Sequence, residues 1–516
     1  MSQKFYITTS IVYANSKPHI GFALETFQAD AIARLQRLLG KDVFFLTGTD
    51  ENGSKIYHTA LKNNQTPQEY VDHISSLVKK MINDHQVSYS DFIRTTDQKK
   101  HWPTVFEIWS RLQDKGLLEK KQFSGLYCSG CEAYKKENEL NKQGECPDHL
   151  KKPELISEEN YFFKLSQFSE IILQKITSGE LKILPQEREN QILSLLKDGL
   201  LDVSFSRSQE KMPWGVPVPG DQSQVMYVWC DALTNYLSGI NYFDQNSKLR
   251  EYWPANIHLI GHDILRFHAA IWPAILLAAD LPLPKIIYTH GHILSGGQKM
   301  SKSLGNVIDP QELTAKYGPD ALRLILLKEI SAFQDSDMTV ERFQEIYNSE
   351  LANKLGNLVS RVIAMNQKYF AGKIFSSATL EKDIPINIPD ISSYDFNQEK
   401  FGRTDLLLQE IWLMIEVANK YVDDQKPWEL AKNSNNVKLK TVILNLIETI
   451  RLIALLLEPI APKISQKILV ALDQDYLDSS KNKTDNAEKY QQLLTWGQLK
   501  SGVEIQPINP LFPRIQ

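Results

Sequence analysis

The sequence predicts an α/β fold: a Rossmann-like, doubly wound parallel sheet, split by an insertion and followed by an α-helical bundle. Three observations predict it. A strand–helix–strand pattern with short connections opens the chain over 4–49. The same pattern returns over 256–293, after a long polar interruption. From about 340 onward, apolar residues recur at helical spacing only.

Taken in order, "KFYITTSI" (4–11) reads as a strand, 19–39 as a helix and "DVFFLTGT" (42–49) as a second strand. Such βαβ units build parallel sheets. Residues 116–225 interrupt them. This stretch is polar, holds three of the four Cys, and ends in "KMPWGVPVPGD", whose Pro and Gly disfavour regular structure. "NIHLIGHD" (256–263) is then a strand, "ILRFHAAIWPAILLAAD" (264–280) a helix containing a Pro, and "KIIYTHGHI" (285–293) a strand. Both halves direct their loops to the carboxyl edge of one sheet, where doubly wound folds bind ligands. Four segments follow: a first half-domain at 1–115, the insertion at 116–225, a second half-domain at 226–338 and helices over 339–516, with a loop at about 372–397.

Bulk properties bound the function. With 516 residues the chain is too long for one core. Its 42% hydrophobic and 23% charged residues suit a globular protein, and its net charge of -4 does not mark a wholly basic nucleic-acid binder. A local basic face remains compatible with that average. No apolar run is long enough to cross a membrane, and the start lacks a signal-peptide layout. So few Cys argue against a disulfide framework and for the cytoplasm.

Cys128-Ser-Gly-Cys131 and Cys146-Pro-Asp-His149 form two short-spaced pairs. Each pair can grip one edge of a tetrahedral ion, and the intervening loop closes the site. Three thiolates and one imidazole leave no position for water, so the expected ion is structural Zn2+. Unrelated surface residues or a redox pair are the plainer alternatives. Cys230, in "VMYVWCDAL", reads as a packed thiol.

Neither a P-loop nor a GxGxxG follows the first strand. Instead, His19-Ile20-Gly21 stands at the strand-to-helix turn. A helix N-terminus there offers backbone N–H groups and a positive dipole end to phosphates. Gly21 admits a bulky ligand, and His19 can donate to a phosphate oxygen. Downstream, Gly296-Gly297-Gln298-Lys299-Met300-Ser301-Lys302-Ser303 follows another strand. A mobile loop carrying ammonium groups suits a pyrophosphate leaving group. Alone, each motif reads as structural turn or solvated surface; each at the end of a matched half, they read as one site.

Pro18-His19-Ile20-Gly21 and Lys299-Met300-Ser301-Lys302-Ser303 resemble the two signatures of class I aminoacyl-tRNA synthetases. "LTGTDENGSKI", "MYVWCDALTNYL", "IGHDILRFHAAIWPAILLAADLPLP" and "GQKMSKSLGNVIDP" resemble the methionyl branch of that family, and the cysteine pairs its zinc-containing members. The resemblance extends to Lys426-Pro427-Trp428 in the helical region. It implies methionine activation by ATP to methionyl-adenylate and pyrophosphate, then transfer to the 3′ end of tRNA, initiator and elongator alike.

Residue by residue, the resemblance implies His19, Gly21, Lys299, Ser301 and Lys302 at the ATP, with His19, Lys299 and Lys302 catalytic. It puts Asp50 on the substrate ammonium, with a helix cap as the plainer alternative. Ile11, Tyr13, Trp229, Ala232, Tyr236, Ile264 and His268 form the thioether pocket, soft and partly aromatic. Asp263 stands near both ligands or caps a helix. Asn353, Asn357 and Arg361 share a helical spacing that otherwise reads as solvated surface; Asn357, Arg361 and Trp428 are the expected anticodon residues, with Trp428 stacking a base. Mg2+ comes with ATP. The chain ends soon after the bundle, so a monomer is expected.

Three positions depart from the family pattern: Phe22 for its second His, Asn52 within "DENG", and His262 before Asp263. Phe22 cannot donate to phosphate, so Phe22→His is expected to raise the adenylation rate. The departures leave open a noncatalytic or weakened paralogue that binds tRNA. A leucine, isoleucine or valine enzyme would need a larger editing insertion, and a zinc-ribbon module alone leaves most of the chain unexplained.

Overall fold

The structure is a computed structural model and describes residues 2–128, 133–135, 137, 140–147, 151–300, 306–374, 380–482 and 486–515. Its centre is a parallel sheet. Asp42–Asp50 lies between Asp91–Arg94 and the first strand, Lys4–Thr9; then come Ile257–Gly261, Ile286–His290 and Lys182–Leu184. The order reverses between Lys4–Thr9 and Ile257–Gly261. That reversal opens a crevice at the carboxyl ends.

The opening strand continues past Thr9 as Val12–Tyr13 on the same neighbour. Thr8 pairs with Leu46 and Val12 with Thr49, so four steps on one strand match three on the other. The extra residue is a bulge, a device that re-aims side chains beside a ligand crevice. Side chains alternate across the sheet as the two-residue period requires. Phe5, Ile7 and Phe45 enter one core, and Tyr6, Phe44 and Leu46 the other.

The helix Ile20–Leu38 is buried almost all round. It lies between the sheet and the bundle, so one core joins them. Its Asp30 is fully buried and accepts from Arg34 Nε at 2.9 Å. Arg323 Nη2 approaches the same carboxylate at 2.7 Å and its Nε donates to Ile460 O at 2.6 Å. Arg34 also faces Glu458 at 3.8 Å. This ion cluster ties both half-domains to the bundle.

Three sequence expectations change. Within 116–225, Lys182–Leu184 belongs to the central sheet, parallel to Ile286–His290. At three residues it is too short to show a period of two. The rest carries an antiparallel sheet built on Leu118–Cys128 and Glu154–Phe163, and even the Pro/Gly run contributes Pro217–Val218 to a small sheet. The helix expected over 264–280 is composite: a tight turn His262–Ile264, a π segment Phe267–Ile271 and an α-helix Trp272–Ala278. Pro273 has no N–H to donate, which relaxes the regular i→i−4 ladder there. The expected bundle helices appear as Val340–Ile346 running through Tyr347–Gly356 to Asn357–Phe370, then Thr404–Gln425 and Asn436–Leu457.

Candidate active site

At the crevice, His19 caps the helix Ile20–Leu38. Its Nδ1 accepts from the N–H of Gly21 at 3.1 Å and of Phe22 at 3.4 Å. An accepting Nδ1 puts the ring proton on Nε2. The exposed ring thus presents a donor beside the positive helix end. Gly21 is needed close in: a Cβ there would meet His19 Nδ1 at 3.0 Å. Phe22 points the other way, into the core, at 5% exposure. Phe22→His therefore costs apolar packing as well as adding a donor.

One turn on, Glu25 spans the crevice floor. It accepts from Ser10 N at 2.8 Å and Ser10 Oγ at 2.6 Å, and meets His290 Nε2 at 3.1 Å. Burial alone would lower the His290 pKa; the Glu25 contacts more than offset it, and the imidazole is held above its usual range. Sequence reading missed this pair, although both residues end or face matched elements. His262 and His292 pack nearby, ring centroids 3.9 Å apart and the planes tilted by 56°. Asp263 does not cap its turn; Gly261 holds that position without a side-chain bond.

The lysine-bearing segment starts as a hairpin. Ser295 pairs with Gln298 around Gly296 and Gly297, whose φ of 63° and 74° suit a two-residue turn. Lys299 continues that strand, paired through its backbone with Leu294. Ser301 and Lys302 lie outside the described residues.

The other half of the site is built on the strand end at Asp50. Asp50 is 6% exposed, and its backbone carbonyl accepts from Ala14 N at 2.8 Å. The helix cap alternative falls, because Gly53 caps the next helix, Ser54–Lys62, without a side-chain bond. Thr95 Oγ1 lies 3.5 Å from Asp50 Oδ1. The adjacent Glu51 is neutralised by Arg94 Nε at 2.7 Å. Trp214 Nε1 donates to Glu51 O at 2.7 Å. The Pro/Gly run thus has a task that composition did not reveal: it delivers an indole to this strand end.

The aromatic groups stand on Val228–Ala232, Asn235–Ser238 and the π segment Phe267–Ile271. Tyr236 OH and His268 Nε2 are 2.7 Å apart, and His268 Nδ1 is 3.0 Å from Ile264 O. The carbonyl can only accept, so Nδ1 carries the proton and Nε2 accepts from tyrosine. Burial pushes the His268 imidazole down to about 4 and keeps it neutral. Tyr236 stacks on His258 at 4.1 Å, and Trp229 on Phe267 at 3.8 Å. Ala232, Tyr236 and His268 are buried, while Ile11, Tyr13, Trp229 and Ile264 are half-buried. The seven dispersed sequence positions thus divide into three buried and four half-buried side chains. His268 and Trp272 both face Tyr236, each at 5.8 Å between rings.

In the helical region the expected single face is altered. Asn353 lies in the π segment Tyr347–Gly356, where α spacing does not carry over, and it accepts from Arg514 Nε at 2.9 Å. Asn357 is exposed. Arg361 pairs with Asp423 at 3.2 Å across two helices. Trp428 is 38% exposed, just past the left-handed turn at Lys426.

Cys128 ends the strand Leu118–Cys128, and Cys146 bridges to Lys151. Both thiols are buried, which suits soft donors of a closed structural site. Cys131 and His149 lie outside the described residues. Among the described residues no cluster of three or more His, Cys, Asp or Glu forms a metal site. Cys230 is buried, and burial pushes its thiol pKa up, as a packed side chain requires.

Comparison with known proteins converges on one family. The pattern described as "tRNA synthetases class I (M)" matches residues 5–152 and 149–363. That of the "Anticodon binding domain of methionyl tRNA ligase" matches 377–516. The methionine–tRNA ligase of Caldanaerobacter subterraneus subsp. tengcongensis is 40% identical, covering 100% of this chain and 79% of its own. That of Streptomyces coelicolor is 40% identical, covering 100% and 97%. A Mycobacterium tuberculosis methionyl-tRNA synthetase, solved in complex with methionyl-adenylate, superposes with a TM-score of 0.89 at 34% identity, covering 100% of both chains. A chain with this sheet, this bundle and these relatives belongs to the methionyl-tRNA synthetases, class I aminoacyl-tRNA synthetases that act as methionine–tRNA ligases.

Proposed function

We propose that this chain performs the ligase reaction at the crevice between Lys4–Thr9 and Ile257–Gly261, in two steps. The observation that carries the assignment is the pairing, at one sheet edge, of the His19 helix cap with the Asp50 strand end. Methionine lies with its ammonium on Asp50 and its thioether among Ile11, Tyr13, Trp229, Ala232, Tyr236, Ile264 and His268. Its carboxylate attacks the α-phosphorus of ATP in line, and pyrophosphate leaves. No general base is needed, because the attacking group is already an anion. His19, Gly21, Lys299, Ser301 and Lys302 take the phosphates, with His19, Lys299 and Lys302 stabilising charge as it develops. Mg2+ arrives with ATP; a dedicated carboxylate cage is not required.

In the second step a hydroxyl at the tRNA 3′ end attacks the methionyl carbonyl of the adenylate and AMP leaves, while Asn357, Arg361 and Trp428 read the anticodon. Arg361 would release Asp423 to do so. Cys128, Cys131, Cys146 and His149 hold one structural Zn2+ in the insertion, away from the chemistry. The chain works as a cytoplasmic monomer on both initiator and elongator tRNA. Charging of each transcript, followed with labelled methionine, together with one equivalent of zinc by elemental analysis and a monomeric mass by light scattering, is the expected result. Folded protein lacking zinc, or charging of neither transcript, would overturn the respective assignment.

A further inference from the structure

The departure at Asn52 has an unexpected partner. Asn52 Nδ2 donates to Asp231 Oδ2 at 2.7 Å, across 179 residues of sequence. It also lies 3.4 Å from Thr95 Oγ1, the hydroxyl that faces Asp50. Asn52 is 3% exposed and Asp231 is fully buried. Asp231 sits in the short helix Val228–Ala232, between Trp229 and Ala232. The bond therefore spans the pocket, from the strand end bearing Asp50 to the helix bearing two thioether contacts.

The charge balance at Asp231 is unusual. Among the described residues its Oδ1 has no hydrogen-bond partner and no cation pairs with either oxygen. Burial raises its carboxyl well above the usual range, and the Asn52 amide only partly opposes this. The neighbouring groups supply no charge. His101, beside the Asp231 backbone, is pushed by burial down to about 3 and is neutral. The Cys230 thiol is pushed up and stays protonated. Arg94 is engaged with Glu51 and Asp72. An isolated buried carboxylate takes a proton rather than remain charged.

We propose that Asn52 and protonated Asp231 form a neutral clamp that fixes the span between the ammonium and thioether ends of the methionine pocket, making Asp231 a positioning residue for methionine. Neutrality matters to selectivity of charge. It leaves Asp50 without a second carboxylate beside it to draw the substrate ammonium away. The amide at position 52 cannot itself become a cation, and its single hydrogen bond opposes the proton on Asp231 only in part. This inference rests on the assignment of Asp50 to the ammonium.

The test compares Asp231→Ala, Asp231→Asn and Asp50→Asn in methionine-dependent ATP–pyrophosphate exchange by the full chain. Asp231→Ala should raise the methionine KM by about tenfold, as loss of one buried hydrogen bond does, with the ATP KM within about twofold. Asp231→Asn copies the neutral acid and should recover most of that loss. Infrared difference spectra, wild type minus Asp231→Asn, should show the carbonyl band of a protonated carboxylic acid near neutral pH, a readout that survives if Asp231→Ala does not fold. Equal damage by Asn and Ala, or an absent acid band, would overturn the clamp. A silent Asp50→Asn with the Asp231 pattern intact would instead overturn the ammonium assignment.

Discussion

Two buried polar clusters, one at Asp30 on the helix Ile20–Leu38 and one at Asp231 on the short helix Val228–Ala232, differ in one respect: how fully charge is answered. At the seam with the bundle, Asp30 accepts from Arg34, Arg323, Ser88 N at 2.7 Å and Ser88 Oγ at 2.5 Å. Burial works against its charge, but the two guanidiniums and Ser88 win, and the carboxyl is held down at about 2. At the pocket, Asp231 has a single amide donor, and His258 and His268 are held neutral by burial. The first cluster is saturated and can only hold elements together. The second answers Asp231 with one amide and keeps both imidazoles uncharged. Between these two clusters it is the pairing of buried charge, rather than burial, that differs.

The largest effect should come from breaking the saturated cluster. Arg323→Ala leaves Asp30 buried with half its pairing and should cost about 3–5 kcal/mol, read as a lowered denaturant midpoint. A loss below about 1 kcal/mol would show that the seam is not closed in solution. Next comes the phosphate end: His19→Ala should lower kcat for adenylation by about 10²–10³-fold, as removal of one transition-state donor does. Its stability should fall only by the lost cap, about 1 kcal/mol.

The same contrast has a pH signature. The folded pKa of Asp30, about 2, lies below its ordinary 3.8. Its stabilisation is therefore fully present above about pH 4 and fades as pH falls toward 2, by about 2 kcal/mol in all. His268 acts over a higher window. Its folded pKa of about 4 lies below the ordinary 6.5, so its share is present above pH 6.5 and fades as pH falls toward 4. Urea midpoints across pH 3–7 should thus decline in two stages, and His268→Gln should reduce the upper one, which His85, His101 and His258 share because burial lowers their pKa values too. The smallest effect is at the bundle tip. Trp428→Ala should weaken tRNA charging by about 1–3 kcal/mol of lost stacking and leave pyrophosphate exchange unchanged.

Much of this was legible in sequence, for physical reasons. Strands such as "DVFFLTGT" are dense apolar runs, and the switch of period near 340 marks the bundle. His19 and Asp50 stand at element ends, where functional groups of parallel sheets concentrate. What stayed hidden depends on distance or on exceptions to a period. Lys182–Leu184 is too short to signal itself, and Pro273 converts an expected α-helix into a composite one. Trp214 reaches Glu51 from a run whose composition says only irregular. The Asn52–Asp231 bond joins residues that no local pattern connects, and Phe22, read as a missing donor, is a core side chain.

The most direct test is ATP–pyrophosphate exchange by the full chain, run separately with each standard amino acid. Exchange is expected with methionine, and with no other amino acid at comparable concentration. Exchange with a different amino acid would contradict the pocket built on Asp50, Tyr236 and His268; no exchange with any, from folded protein, would contradict catalysis at this crevice altogether.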